Sequence, residues 1–458
     1  MMLSRGTISS DSGLRLSARA DYWNSWSFYI PDNDAAAAGG NINVKNGGVS
    51  PFYKLPQEVF DHIVGFLHGD KASLHQCSLI NRDWVVPSQR HLFSDIYLVS
   101  KKPESLTGLL ERFTGFLKNA ASRPNHTIIP SIHHLYIDAN AKGPRAARYR
   151  MITVSAIEGV LDYLPSLKSI SLYDVILSAS LTGPATCPRR SLDCLRFART
   201  VVDDGGYLQL FSLFGNIERV DLAELHYTPD STQSQTNIRK TTVTKICLSE
   251  GTMNQLFPVI NFDTVKCCIM WICDLKDIQF LQDLCGIADT THLGIVFSLD
   301  DEDMDKVAEF PFQLRYPSVQ YLELRIDTPT ECFPQRLDLW WLHTPYITAA
   351  PSLIQLHLSM FVSASFPTGY LEELDWQVLR NIMRSMRYLK ILSLHLFLSE
   401  EFDAAESLPI QACFYRLITD IVEDLPIDFR LSASKYNYSA GATSRFEVDF
   451  IDFPPWSI

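Results

Sequence analysis

At 458 residues, with 46% apolar and 20% charged side chains, the chain has ordinary globular composition. It is long enough for two or three domains, or for one small module and a repeat array. The net charge of −12 argues against a general nucleic-acid binder, which needs a basic stripe to neutralise phosphates, and no apolar run approaches the ~20 residues of a membrane helix.

The ten cysteines are scattered and no C-x-x-C occurs. The closest group, Cys267, Cys268, Cys273 and Cys285, reads as buried thiols rather than zinc ligands. The first twenty residues lack the apolar core of a signal peptide, so the expected location is the cytoplasm or nucleus. Residues 1–50 carry small and polar stretches over 35–48 and are expected to form a tail without regular structure.

From 55 to 67, Val59, Ile63 and Leu67 recur every four positions beside Phe60 and Val64, the stripe of an amphipathic helix. Pro56 suits a first helical turn, where its missing N–H has no partner to lose. His68-Gly69 ends that helix, and Asp70 or Ser73 caps a second one carrying Leu74, Cys77 and Leu79. A third opens at Asn81, runs through Trp84, is bent or broken near Pro87 and reaches Leu92-Phe93. Three short helices make a core too small to be comfortable alone, so the segment calls for a partner.

Beyond it, segments of the form apolar-x-x-apolar-x-apolar recur. They end at Ile137, Leu172, Phe197, Leu222, Leu248, Met270, Ile295, Leu324, Leu358 and Leu394. The middle intervals match the 20–29 residues of a leucine-rich repeat, one strand and one returning element per unit, and the longer ones allow helical returns. Pro165, Pro317 and Pro351 stand just before three of the strands and mark turns. An ordinary α/β domain fits the same periodicity and stays open.

The segment Leu55-Pro56-Gln57-Glu58-Val59, then Ile63, Leu67, Leu74, Cys77-Ser78-Leu79, Asn81-Arg82-Asp83-Trp84 and Leu92-Phe93 resembles the F-box. It is similar in particular to F-box proteins of mushroom-forming fungi. The resemblance implies an F-box over 51–98 that docks to a Skp-type adaptor and through it to a cullin. Leu55, Pro56, Val59, Ile63, Leu67, Leu74, Leu79 and Trp84 would divide between that interface and the module's own core. The expected fold is α/β, three helices followed over 99–458 by a leucine-rich-repeat-like solenoid with a curved, largely parallel sheet.

No P-loop, G-x-G-x-x-G, G-x-S-x-G or H-E-x-x-H motif occurs, and no metal or cofactor is expected. The acidic run 300–305 lacks the Gly and Glu of a calcium loop, having Lys306 and Phe312 instead. In each strand the positions between the apolar ones should share the other sheet face. That register gives Tyr136, Asp138, Tyr173, Arg196, Asp221, Trp271, Glu323, Arg325, His357 and His395 as a solvent-exposed surface suited to a protein target. The expected function is a non-enzymatic substrate adaptor of a ubiquitin ligase. Two alternatives stand beside it: a scaffold that never recruits a cullin, and an enzyme whose site is assembled from dispersed residues.

Overall fold

The computed structural model describes residues 56–80, 82–99, 106–123, 128–139, 150–180, 189–228, 240–248, 258–273, 275–297, 314–326, 345–362, 376–399 and 404–436. The tail expected over 1–50, Leu55, Asn81 and the acidic run 300–305 lie outside them.

Three helices come first, α1 (Gln57–Gly65), α2 (Lys71–Ile80) and α3 (Arg82–Leu92). Asp70 caps α2, its carboxylate accepting from the Ser73 backbone N–H at 3.1 Å and the Ser73 hydroxyl at 2.6 Å. Pro87 lies inside α3, as the sequence placed it. Phe60, Val64 and Leu74 are buried, and Trp84 meets the Phe60 ring edge-on at 5.2 Å. These residues stand apart from the main apolar core and form a small one of their own.

The rest is α/β around one large parallel sheet. Its strands are β1 (Asp95–Val99), β2 (His134–Asp138), β3 (Arg150–Thr153), β4 (Ser169–Tyr173), β5 (Val175–Ser178), β6 (Arg190–Asp203), β7 (Phe214–Thr228) and β8 (Thr241–Leu248). They continue with β9 (Ile260–Asn261), β10 (Cys267–Ile272), β11 (His292–Phe297), β12 (Tyr321–Ile326), β13 (Gln355–Val362), β14 (Ile391–Ser399) and β15 (Asp428–Tyr436). The main path runs β1-β2-β4-β6-β7-β8-β10-β11-β12-β13-β14-β15 in chain order, with β3, β5 and β9 pairing beside it. All ten apolar segments singled out in the sequence end in strands of this path, and in seven of them the first residue of the pattern precedes the strand. The sheet begins at Asp95, so its first strand straddles the boundary expected at 98.

Parallel neighbours need long returns, and helices supply many of them: α4 (Leu106–Ala121), the short α5 (Ile128–Ser131), α6 (Val154–Leu161), α7 (Asp204–Ser212), α8 (Leu275–Ile287), α9 (Trp376–Ser385) and α10 (Ala404–Val422). The turns before β4, β12 and β13 close with i→i+3 bonds, Leu167 N–H to Leu164 O, Val319 N–H to Tyr316 O and Leu353 N–H to Ala350 O. Each has proline at its second position, where the fixed φ suits the turn.

In-register ladders follow from the repeated pattern. Ile96, Leu135, Ile170, Leu195, Val220, Ile246, Cys268, Leu293, Leu322, Leu356 and Leu392 pair strand by strand on one face. The helices pack on that face through residues such as Leu110, Ile157, Phe211, Leu281, Ile382 and Phe414, giving one apolar core along the whole sheet.

Candidate functional site

The opposite face carries two adjacent rows of side chains. One row reads Tyr97, Tyr136, Ser171, Arg196, Asp221, Cys247, Ile269, Gly294, Glu323, His357 and Ser393. The next holds Asp138, Tyr173 and Ala198 at the β2 end, and Trp271, Val296, Arg325, Ser359 and His395 toward β14. Every face residue singled out in the sequence falls on one of these rows. The expectation that they are solvent-exposed does not hold throughout, since Asp221, Arg325, His357 and His395 are buried. Tyr136, Tyr173, Arg196, Trp271 and Glu323 are half-buried. In-register neighbours about 4.8 Å away on both sides, and residues two positions along each strand, shield one another.

At the β1 end the Tyr97 and Tyr136 rings stack, 4.4 Å apart and 5° from parallel, with the Lys71 ammonium 5.3 Å above the Tyr97 ring. Burial raises both phenols above the ordinary tyrosine range. Next, the buried Asp221 carboxylate accepts from Arg196 Nε and Nη2 on one oxygen, at 3.2 and 3.1 Å, and from Arg219 Nε on the other at 2.6 Å. A carboxylate so placed is stable only while its partners remain.

The middle of the face is an apolar recess over β7 to β12. Ile269, Trp271, Gly294 and Val296 form its floor, Arg219 and Asp221 close one end, and Glu323 and Arg325 the other. Gly294 makes the depression, because its two register neighbours, Ile269 and Glu323, both carry side chains. A Cβ at Gly294 would stand 3.0 Å from Ile269 Cγ1. Burial raises the Glu323 carboxyl pKa, with Arg325 opposing.

Toward β15 the polar residues sink further. The His357 and His395 rings stack at 6.3 Å, His395 Nδ1 lies 2.8 Å from Ser432 Oγ, and the Arg325 guanidinium sits 4.5 Å over the Phe397 ring. His357 Nε2 and Ser359 Oγ are buried with no hydrogen-bond partner among the described residues. Burial, and then His395, push the His357 pKa down to about 4. No group of three or more metal-binding side chains occurs among the described residues.

The helical module offers a second surface. Of the residues that carry the family resemblance, Leu74 is buried, Trp84 and Leu67 are half-buried, and Pro56, Val59, Ile63 and Leu79 are exposed. Phe66 (77% exposed) and Ile80 (62%) join them, and neither was singled out in the sequence. On the sheet, sequence reasoning missed Tyr97, Arg219, Cys247, Ile269, Gly294 and Val296. The signal for Gly294 was available: a glycine inside a strand pattern marks a place where something approaches the backbone closely. No helix among the described residues is long and apolar enough to cross a membrane. Comparison with protein-family models and with curated proteins finds no match.

Proposed function

We propose that this chain is the substrate-recognition subunit of a Skp–cullin–F-box type ubiquitin ligase. Residues 51–98 act as the F-box that docks to a Skp-type adaptor and through it a cullin. The leucine-rich-repeat-like domain that follows, its sheet beginning with β1 at Asp95, holds a target protein on the sheet face opposite its helices. Ubiquitin transfer belongs to the other subunits.

The observation that carries this reading is the division of apolar side chains in α1 and α2. Phe60, Val64 and Leu74 face inward, whereas Val59, Ile63, Phe66, Leu79 and Ile80 face out within 57–80. Val59 and Ile63 stand four residues apart and so share one face of α1, and large apolar side chains left out of the core in this number suit an interaction site. These helices are also where the F-box resemblance lies. The array supports the second half of the reading, since parallel strands paired in chain order, those from β4 to β12 at intervals of 22–29 residues, are the arrangement of a solenoid.

The test is co-expression of the full chain with a Skp-type adaptor and size-exclusion chromatography. Co-elution in a one-to-one complex is expected, and separate elution overturns the docking half of the proposal. Ubiquitination in the complex reconstituted with cullin and RING subunits then separates a ligase subunit from a scaffold that never recruits a cullin.

A further inference from the structure

We propose that the recess over Gly294 takes one donor-tipped aromatic side chain, tryptophan or tyrosine, from the target polypeptide. The inference rests on the reading of this face as the target surface and specifies what it selects.

Three features of the recess converge on that side chain. Its floor of Ile269, Trp271 and Val296 around a side-chain-free Gly294 offers apolar and aromatic contact to a flat, bulky group. Each of its two ends holds a guanidinium and a carboxylate, Arg219 and Asp221 at one and Arg325 and Glu323 at the other, so a full charge of either sign meets a like charge. A neutral ligand avoids that repulsion. Finally, the half-buried Glu323 carboxyl accepts no hydrogen bond from any described residue. It stands directly opposite Gly294 on the neighbouring strand, about 4.8 Å away. A ring seated over Gly294 brings an indole N–H or a phenol O–H to that carboxylate, and the hydrogen bond offsets the desolvation that raises the Glu323 pKa. Leucine or phenylalanine fills the space but leaves the carboxylate without a donor, which costs more than the bond itself gains.

The test uses the full chain and capped pentapeptides, acetyl-Gly-Gly-X-Gly-Gly-amide with X as Trp, Tyr, Phe, Leu or Lys, read by saturation-transfer NMR. The tyrosine peptide is expected to bind at least about tenfold more tightly than the phenylalanine peptide, as a hydrogen bond to a charged group implies. Gly294→Leu should abolish binding of both aromatic donors. Because a leucine there could unfold the strand, Glu323→Gln serves as the near-isosteric second variant, expected to shrink the Tyr-to-Phe ratio to within about twofold. Equal binding of the Tyr and Phe peptides to wild type, a preference for Lys, or no binding at millimolar concentration overturns the proposal. Adaptor co-elution is measured on the same samples. Lost peptide binding with retained adaptor sinks only this inference, and lost adaptor with retained peptide binding sinks only the docking reading.

Discussion

Asp174 and Arg199 stand one residue beyond the register pair Tyr173 and Ala198 on neighbouring strands, and both have left-handed backbones, with φ of 54° and 48°. Arg199 Nε and Nη2 donate to the two carboxylate oxygens of Asp174 at 2.9 and 3.0 Å. The aligned kinks end the register of β4 against β6 and begin that of β5 against β6. A left-handed residue with a Cβ costs roughly 1–2 kcal/mol, least for Asp and Asn.

Arg199→Gly should therefore leave stability within about 1 kcal/mol, since the relief of backbone strain offsets the loss of a pair whose arginine is 39% exposed. Asp174→Ala removes the pair and keeps the strain, and is expected to lose about 1–2 kcal/mol. Urea midpoints of the two variants measure the difference. Equal losses would mean that the kinks store no strain.

The helical module separates stability from docking. Leu74→Ala empties a fully buried position and should destabilise by about 2–5 kcal/mol. Ile63→Ser with Leu79→Ser alters residues 39% and 67% exposed, so melting should change little. If an adaptor covers them, each contributes up to about 1.5–3 kcal/mol, and the double variant should weaken adaptor binding roughly a hundredfold in a titration by isothermal calorimetry.

On the sheet face, Arg196→Ala and Tyr173→Ala should part company. Arg196→Ala strips the buried Asp221 of two charged hydrogen bonds to one of its oxygens, which is expected to cost about 1–3 kcal/mol by thermal or urea unfolding. Tyr173 is half-buried, and its truncation should cost less while still removing area from the face proposed to hold a target. A destabilised Arg196 variant therefore reports on the ion network and not on target binding.

Stability should also depend on pH through His357. Its pKa is about 4 in the folded chain and 6.5 as the reference, so between those values the unfolded chain holds the extra proton. The neutral ring's contribution is fully present above pH 6.5 and is lost as pH falls toward 4, by roughly 3 kcal/mol. Glu323, whose folded pKa is raised, acts in the opposite direction as it protonates. The difference between wild type and His357→Asn isolates the histidine: the two stability curves should converge as pH falls from 6.5 to 4. Parallel curves would show that His357 takes up its proton alike in the folded and unfolded states.

The main strands were legible because one physical constraint repeats. A parallel strand covered by helices on one face needs apolar side chains at alternate positions, and the returning chain needs another just before it, as at Leu167 and Val265. The edge strands β1 and β15 escaped because each has a neighbour on one side alone. From Asp428 to Ala433 of β15, Asp428, Arg430 and Ser432 are exposed and the alternating Phe429, Leu431 and Ala433 are only half-buried. The short β3 and β5 lie beyond the kinks, and nothing in the sequence announces a left-handed Asp174. On the face, choosing polar and aromatic residues found the rims of the recess and passed over Gly294, whose contribution is a missing side chain.

Tyr97 and Gly294 lie on the same row of the sheet, seven strand steps apart. At about 4.8 Å per step the sheet is thus a ruler of at most about 34 Å between the ring under Lys71 and the recess. Gain or loss of one unit along that path would shift the recess by about 5 Å and rotate it by roughly 20–25°, the twist between adjacent strands. The number of strands, more than any single side chain, fixes how far the recess stands from the first strand of the sheet.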